Sequence, residues 1–211
     1  ATQDDKTTVT DVPVGSEFEQ TDDYKTYQRA DEAVFWSLTG TNSGVQVNNV
    51  TTSEDTRMGQ TFESGHANIG KEVNQVTVRL RNAFSSGATY AIPLKVWDSN
   101  GDLKATSETT ITLDDLEQGL TWDSSAPYDD VVTYDFATPF TIAVGDRIAV
   151  IPSGGTFNVD SIMWKGNSAS LEANTKMISY RSGAWTSLYD SWDSEMILQS
   201  PASWVERGTA I

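Results

Sequence analysis

Val73-Asn-Gln-Val-Thr-Val-Arg-Leu-Arg81 reads as a strand with two unlike sides. Successive side chains of an extended chain point to opposite faces, so Val76, Val78 and Leu80 fall together, and Thr77, Arg79 and Arg81 fall opposite them. One side suits a core and the other suits water. The alternation resumes at Tyr90, Ile92, Leu94 and Val96 and runs into Asp98-Ser-Asn-Gly-Asp102. Asn100-Gly101 predicts a hairpin turn there, because both residues accept positive φ. Leu103 to Leu113 is then the returning strand.

The same reading extends both ways along the chain. On the N-terminal side, Met58-Gly-Gln-Thr-Phe62 is a short strand closed by Gly65. On the C-terminal side, 114–128 is a long acidic loop, and Val132, Tyr134 and Phe136 form the next inward set. Pro139 interrupts that strand. Gly145-Asp146 turns the chain into a buried run, Arg147 to Ile151, and Gly154-Gly155 turns it again. Ile162, Trp164, Met177 to Tyr180, Trp185 and Met196 to Leu198 complete the apolar series. Strand-like segments recur every ~10–15 residues with no amphipathic helix between them, which predicts an antiparallel β-sandwich or jelly roll. We place this body at 56–200 and read 201–211 as a C-terminal tail. The segment 40–55, rich in Thr, Asn, Ser and Gly, is a linker or an extended edge.

The beginning of the chain has a different texture. Residues 1–11 are polar and without period, an N-terminal arm. Residues 12–39 predict a small β-meander, with turns at Pro13-Val-Gly15, Thr21-Asp-Asp23 and Ala30-Asp-Glu32 between three short strands. It holds too few apolar residues to be stable alone, so it packs on the body or on copies of itself. Phe18, Tyr24, Tyr27, Phe35 and Trp36 are the candidate anchoring and oligomer contacts. We expect Ala1 to follow removal of a methionine in the cytoplasm of a host, with cleavage of a leader before it as the alternative.

Composition closes off several functions. Hydrophobic residues make up 37% of 211, with seven each of Trp, Tyr and Phe, which is enough for a packed core. Cysteine is absent, so disulfides, thiolate metal sites and cysteine nucleophiles are excluded. The formal charge of −16, from 30 acids against 14 Lys and Arg, repels phosphate backbones and argues against nucleic acid as a partner. It suits either a salty medium or ordinary acidic solubility. No apolar run approaches the ~20 residues of a membrane span.

Chemistry-bearing residues are sparse. His66, in a Gly/Ser-rich turn, has no nucleophile elbow or orienting acid beside it in sequence, and we expect a solvent-exposed turn histidine. One histidine and no cysteine leave no zinc set. Paired carboxylates stand in no recognisable motif, so hydrolysis is not expected. Asp98, Asn100 and Asp102 have the opening spacing of a calcium loop, but its twelfth position, 109, is Thr, and a capped turn is the better reading. Trp164, Trp185, Tyr189 and Trp192 gather late in the chain as candidates for stacking on sugar rings, with core packing and subunit contact as the alternative. Trp122, in the acidic loop, is a further exposed-aromatic candidate, and Trp204 in the tail is a candidate subunit contact. No cofactor is expected.

Two resemblances add to this reading. Pro13, Gly15, Phe18, Thr21, Asp22, Lys25, Tyr27 and Trp36 resemble a small module of structural proteins of tailed viruses, over about 30 residues. Residues 57–199 are similar to extracellular jelly-roll modules related to carbohydrate-binding modules. The markers are Gly59-Gln-Thr-Phe62, Val73 to Leu80, Leu94 to Gly101, Phe136 to Val150, Trp164-Lys-Gly-Asn-Ser-Ala169 and Tyr180-Arg-Ser-Gly-Ala-Trp185. Together they imply a non-enzymatic protein at the surface of a virion. Capsid decoration, anchored through the N-terminal region to a major capsid or tail protein, is the first expectation. A tail fibre, adhesin or carbohydrate-binding module for a host surface glycan is the alternative. A homo-oligomer is implied, with a trimer favoured, since cyclic symmetry would let the meander bury its aromatic side.

Overall fold

The computed structural model describes residues 13, 15–20, 25–30, 33–38, 45–47, 57–82, 91–116, 131–151, 162–167, 172–181, 183–189, 193–201 and 203–209. Tyr24, Trp122 and Trp192 lie outside them. In chain order the strands are β1 (Glu17–Gln20), β2 (Lys25–Ala30), β3 (Ala33–Leu38), β4 (Val45–Val47), β5 (Arg57–Phe62), β6 (Glu72–Asn82), β7 (Ala91–Trp97) and β8 (Leu103–Thr112). There follow β9 (Val131–Thr141), β10 (Arg147–Val150), β11 (Ile162–Trp164), β12 (Gly166–Asn167), β13 (Thr175–Arg181), β14 (Ala184–Tyr189), β15 (Asp193–Ser194), β16 (Met196–Ser200) and β17 (Ser203–Thr209). Among the described residues, a 3-10 turn, Leu113–Asp115, follows β8.

The structure is all-β, two antiparallel sheets packed as a sandwich. One sheet runs β14-β13-β5-β10-β7-β8, and the other runs β3-β16-β6-β11-β4 with β9 also paired to β6. The core lies between them. Met58, Phe62, Leu94, Val96, Ile148 and Met177 come from the first sheet; Val76, Val78, Leu80, Tyr134, Ile162 and Trp164 come from the second. Burying such side chains is the main stabilising term, and truncating one to alanine costs about 2–5 kcal/mol. Tyr134 reconciles its polar end with burial by donating to Ile92 O at 3.0 Å. Desolvation raises its phenol pKa well above the ordinary value.

The alternation read from 73–81 is present in β6, where Val76, Val78 and Leu80 are buried and Thr77 and Arg79 are half-buried. Arg81, expected in water, is buried, at the end of β6 that pairs with β11, which in turn pairs with β4. The 98–102 hairpin closes on three loop residues, 99–101, and not on the two-residue turn expected from Asn100-Gly101. Asp98 N donates to Asp102 O at 2.9 Å and Gly101 N to Asp98 O at 3.1 Å. Among the described non-glycine residues only Asn174 has positive φ, so Gly101, at φ 92°, carries the left-handed position alone. Asp98 Oδ1 accepts from Asn100 N and Asp102 N, both at 2.9 Å, which makes this carboxylate a turn cap. Those bonds, that from Asp102 first, hold its pKa below the usual carboxylate range. β7 carries Pro93 in mid-strand, where the ladder to β8 shifts register. Leu94 N donates instead to Ser107 Oγ at 3.1 Å, so no buried donor is lost.

The segment 12–39, expected as one meander, is divided between two sheets. β1 and β2 pair with each other, and β2 pairs on its other edge with β17, giving a three-stranded sheet β1-β2-β17. β3 instead joins the sandwich beside β16. Residues 203–209, expected within a tail, are therefore a strand. Val45–Val47, within the expected linker, is an edge strand on β11. Short strands are not stable alone and take partners from open edges.

Candidate functional site

Residues paired across a ladder share a face, so the registers lay out the outer side of the β14-β13-β5-β10-β7-β8 sheet. Lys176, Thr61, Arg147 and Trp97 form one row. Ser187, Ile178, Gly59, Ala149 and Lys95 form the next, and Trp185, Tyr180 and Arg57 the third. The middle row is low at Gly59 and Ala149. A Cβ on Gly59 would sit 1.8 Å from Ile148 O and 2.6 Å from Ala149 Cα, so β5 and β10 approach as only glycine allows.

Large side chains from the flanking rows converge over this floor. The rings of Trp97 and Trp185 meet edge to face at 5.5 Å, and those of Tyr180 and Trp185 at 5.2 Å. The Arg57 guanidinium lies 4.3 Å from the Tyr180 ring, 4.5 Å from Trp97 and 5.6 Å from Trp185. Arg147 lies 5.4 Å from Trp185. A guanidinium near an aromatic ring is attracted by the ring quadrupole, by about 0.5–2 kcal/mol each. Arg147 is itself aimed by donating Nη1 to Asp98 O at 2.7 Å and Nη2 to Ser99 O at 3.2 Å. Trp185, half-buried, is thus held by its neighbours.

Beside Trp185 opens a cleft of about 490 Å³, lined by Thr61, Glu63, Arg147, Lys176 and Ile178 among others. Its volume is that of small-ligand sites, about 300–1,000 Å³. Lys176 Nζ pairs with Glu63 Oε1 at its rim, with both side chains partly exposed. The outer side of this sheet therefore carries Arg57, Lys95, Arg147 and Lys176, four of the chain's 14 basic residues, on a protein of charge −16.

Of the aromatic residues singled out in the sequence, the structure brings Trp185 to this face. Trp164 is fully buried between the sheets, with its indole N–H donating to Glu195 O at 3.0 Å, and presents nothing to a sugar. Tyr189 ends β14 as the register partner of Met177. Phe18 and Tyr27 are register partners in β1 and β2, while Phe35 and Trp36 lie on β3, Trp36 opposite Leu198. Arg57, Trp97, Tyr180, Arg147 and Lys176 were not foreseen as one group. Their common signal was outward parity on strands already recognised, but strand order, which parity does not contain, decides which of them meet.

His66 also departs from expectation. It is buried, packed edge to face on Phe62 at 5.1 Å. Its Nδ1 accepts from Asn68 N at 3.1 Å, which assigns the proton of the neutral ring to Nε2, 3.4 Å from Glu172 Oε1. Burial lowers its pKa below 6.5 and outweighs the opposing pull of Glu172 and Asp193. Since the unfolded chain then takes up the proton first, this contribution to stability is full above about pH 6.5 and is lost as pH falls. The urea midpoint of the protein should fall between pH 7 and pH 5, and His66→Gln should flatten that fall. An unchanged slope in the variant would remove His66 as its cause.

Two further polar clusters centre on buried carboxylates. Lys165 Nζ lies 3.0 Å from Glu195 Oε1, and Arg79 Nε lies 3.5 Å from Glu195 Oε2, beside the junction of β6, β11 and β15. Asp146, buried, holds Lys104 at 2.6 Å and the Ala143 N–H at 2.8 Å. Among the described residues no group of three His, Cys, Asp or Glu is placed to hold a metal ion. No helix among them is long and apolar enough to cross a membrane. No protein-family model matches this chain, and no curated protein matches it.

Proposed function

We propose that the chain is a non-enzymatic structural protein of a tailed-virus particle, carried on the head surface as a capsid decoration protein, with its two-sheet body a jelly roll. The observation that carries this reading is the β1-β2-β17 sheet, a small element built from both ends of the chain and separate from the two large sheets. It includes Phe18, Lys25 and Tyr27, which belong to the virion-protein resemblance. The anchor is therefore the arm together with this sheet and ends before β3, which belongs to the sandwich. The partners are a major capsid or tail protein and further copies of the chain, three in a cyclic assembly.

Immunogold labelling of purified particles tests the reading. Gold over the heads is the expected result. Gold at the tail tip favours the second reading below, and absence of the chain from particles overturns both. The second reading is a tail fibre, adhesin or carbohydrate-binding module for a host surface glycan. The observation favouring it is the cleft with Trp185 fixed in its wall.

A further inference from the structure

We propose that the cleft beside Trp185 selects an anionic sugar, a pyranose bearing a carboxylate or sulfate, over its neutral counterpart. The proposal rests on the glycan-binding reading and names the class of glycan. Three observations converge on it.

The first is preorganisation. Trp185 is wedged between Trp97, Tyr180 and the two guanidinium groups, so a ring that stacks on it costs little side-chain ordering. The second is the lining, in which Thr61 and Ser187 stand with the apolar flank of Ile178 around one space. Sugars present the same mixture of hydroxyl edges and C–H faces. The third is charge. Arg147 and Lys176 line the cleft, with Glu63 the one carboxylate among its lining residues. An anion is repelled by most of a surface of charge −16 and attracted here, which gives selectivity of place as well as of ligand. Lys176 already pairs with Glu63, so an incoming anionic group shares or displaces that partner and gains most where water is excluded against Trp185.

Calorimetric titration of the full chain with three sets of oligosaccharides tests this: uronate-containing, sulfated, and neutral ones of matching linkage. Uronate or sulfated oligosaccharides should bind about tenfold or more tightly than neutral ones, with affinity falling as salt is added. The two anionic sets separate carboxylate from sulfate as the recognised group. Lys176→Gln, at a partly exposed position, should remove most of the preference while leaving the melting temperature nearly unchanged, and Trp185→Ala should abolish binding. Equal binding of neutral and anionic sugars, unaffected by Lys176→Gln, overturns the proposal and leaves the glycan reading standing. Anion binding that survives Trp185→Ala also overturns it, as a diffuse charge effect. Binding of none of the three defeats the glycan reading itself.

Discussion

Gly59→Ala is expected to unseat the middle of the β14-β13-β5-β10-β7-β8 sheet. The new methyl would lie 1.8 Å from Ile148 O, 2.6 Å from Ala149 Cα and 2.7 Å from Ala149 Cβ, where heavy atoms pack comfortably at about 3.5–4.0 Å. Two of those three neighbours are backbone, so no rotamer change relieves the clash. β5 is held on both edges, Gly59 opposite Ala149 on β10 and opposite Ile178 on β13, so relief requires opening a ladder. Overpacking a yielding site costs about 1–3 kcal/mol, and this site does not yield, so we expect about 3 kcal/mol or more. The urea midpoint should fall, and the near-ultraviolet circular dichroism of Trp97 and Trp185 should weaken as the floor beneath them lifts. Adding Ala149→Gly removes the 2.7 Å contact but not the one with Ile148 O, so the double variant should remain destabilised. A wild-type midpoint for Gly59→Ala would mean that the two strands do not approach as described.

The same glycine shows where sequence reading ends. Met58-Gly-Gln-Thr-Phe62 was legible as a strand, as were 73–81 and 91–97, because a period of two follows from backbone geometry alone. Which strand lies beside which does not follow, since it is fixed by contacts between distant segments. Gln60 meets Asp193 across 133 positions, and no local pattern announces that meeting. Arg57 reads as an unremarkable strand-start cation until β13 brings Tyr180 beside it and β14 brings Trp185. His66 was misread for a related reason. A Gly/Ser-rich turn is usually wet, but this one packs on Phe62 and donates its Ile69–Gly70 end to the 142 region, Gly70 N to Ile142 O at 2.8 Å. Short terminal strands were the hardest to place. Short as they are, β3 and β17 take their sheet from the edges they meet, and those edges lie far off in sequence.

Asp193→Ala is the other change with a large expected effect, and it acts on the opposite side of β5 from Gly59's missing methyl. Gln60 shares its parity with Met58 and Phe62, so its amide points into the core, and the residue is fully buried. That placement is tolerable only because each polar atom of the amide finds a partner. Gln60 Nε2 donates to Asp193 Oδ1 at 2.7 Å, and Gln60 Oε1 accepts from Ser194 N at 2.8 Å. Thr175 Oγ1 donates to the same Asp193 Oδ1 at 2.5 Å, and Glu172 N donates to Oδ2 at 3.3 Å. One carboxylate, 1% exposed, thus ties β15 to β5 and β13 through the edge of the core. Removing it strands an amide donor and a hydroxyl in a dry space, at about 1–3 kcal/mol each, and breaking a buried charged network costs about 3–5 kcal/mol. We expect a loss in that range, a large part of the 5–15 kcal/mol typical of folded domains. Asp193→Asn should cost less, because its amide oxygen can still accept from both Gln60 and Thr175, while its NH2 then faces the Glu172 N–H. Gln60→Leu alone should also be costly, but combined with Asp193→Ala it should cost much less than the sum, since one deletion removes the group the other leaves unpaired. Urea unfolding of the four variants measures this directly. Additive losses, or a penalty below about 1 kcal/mol for Asp193→Ala, would show that the network does not hold these strands together.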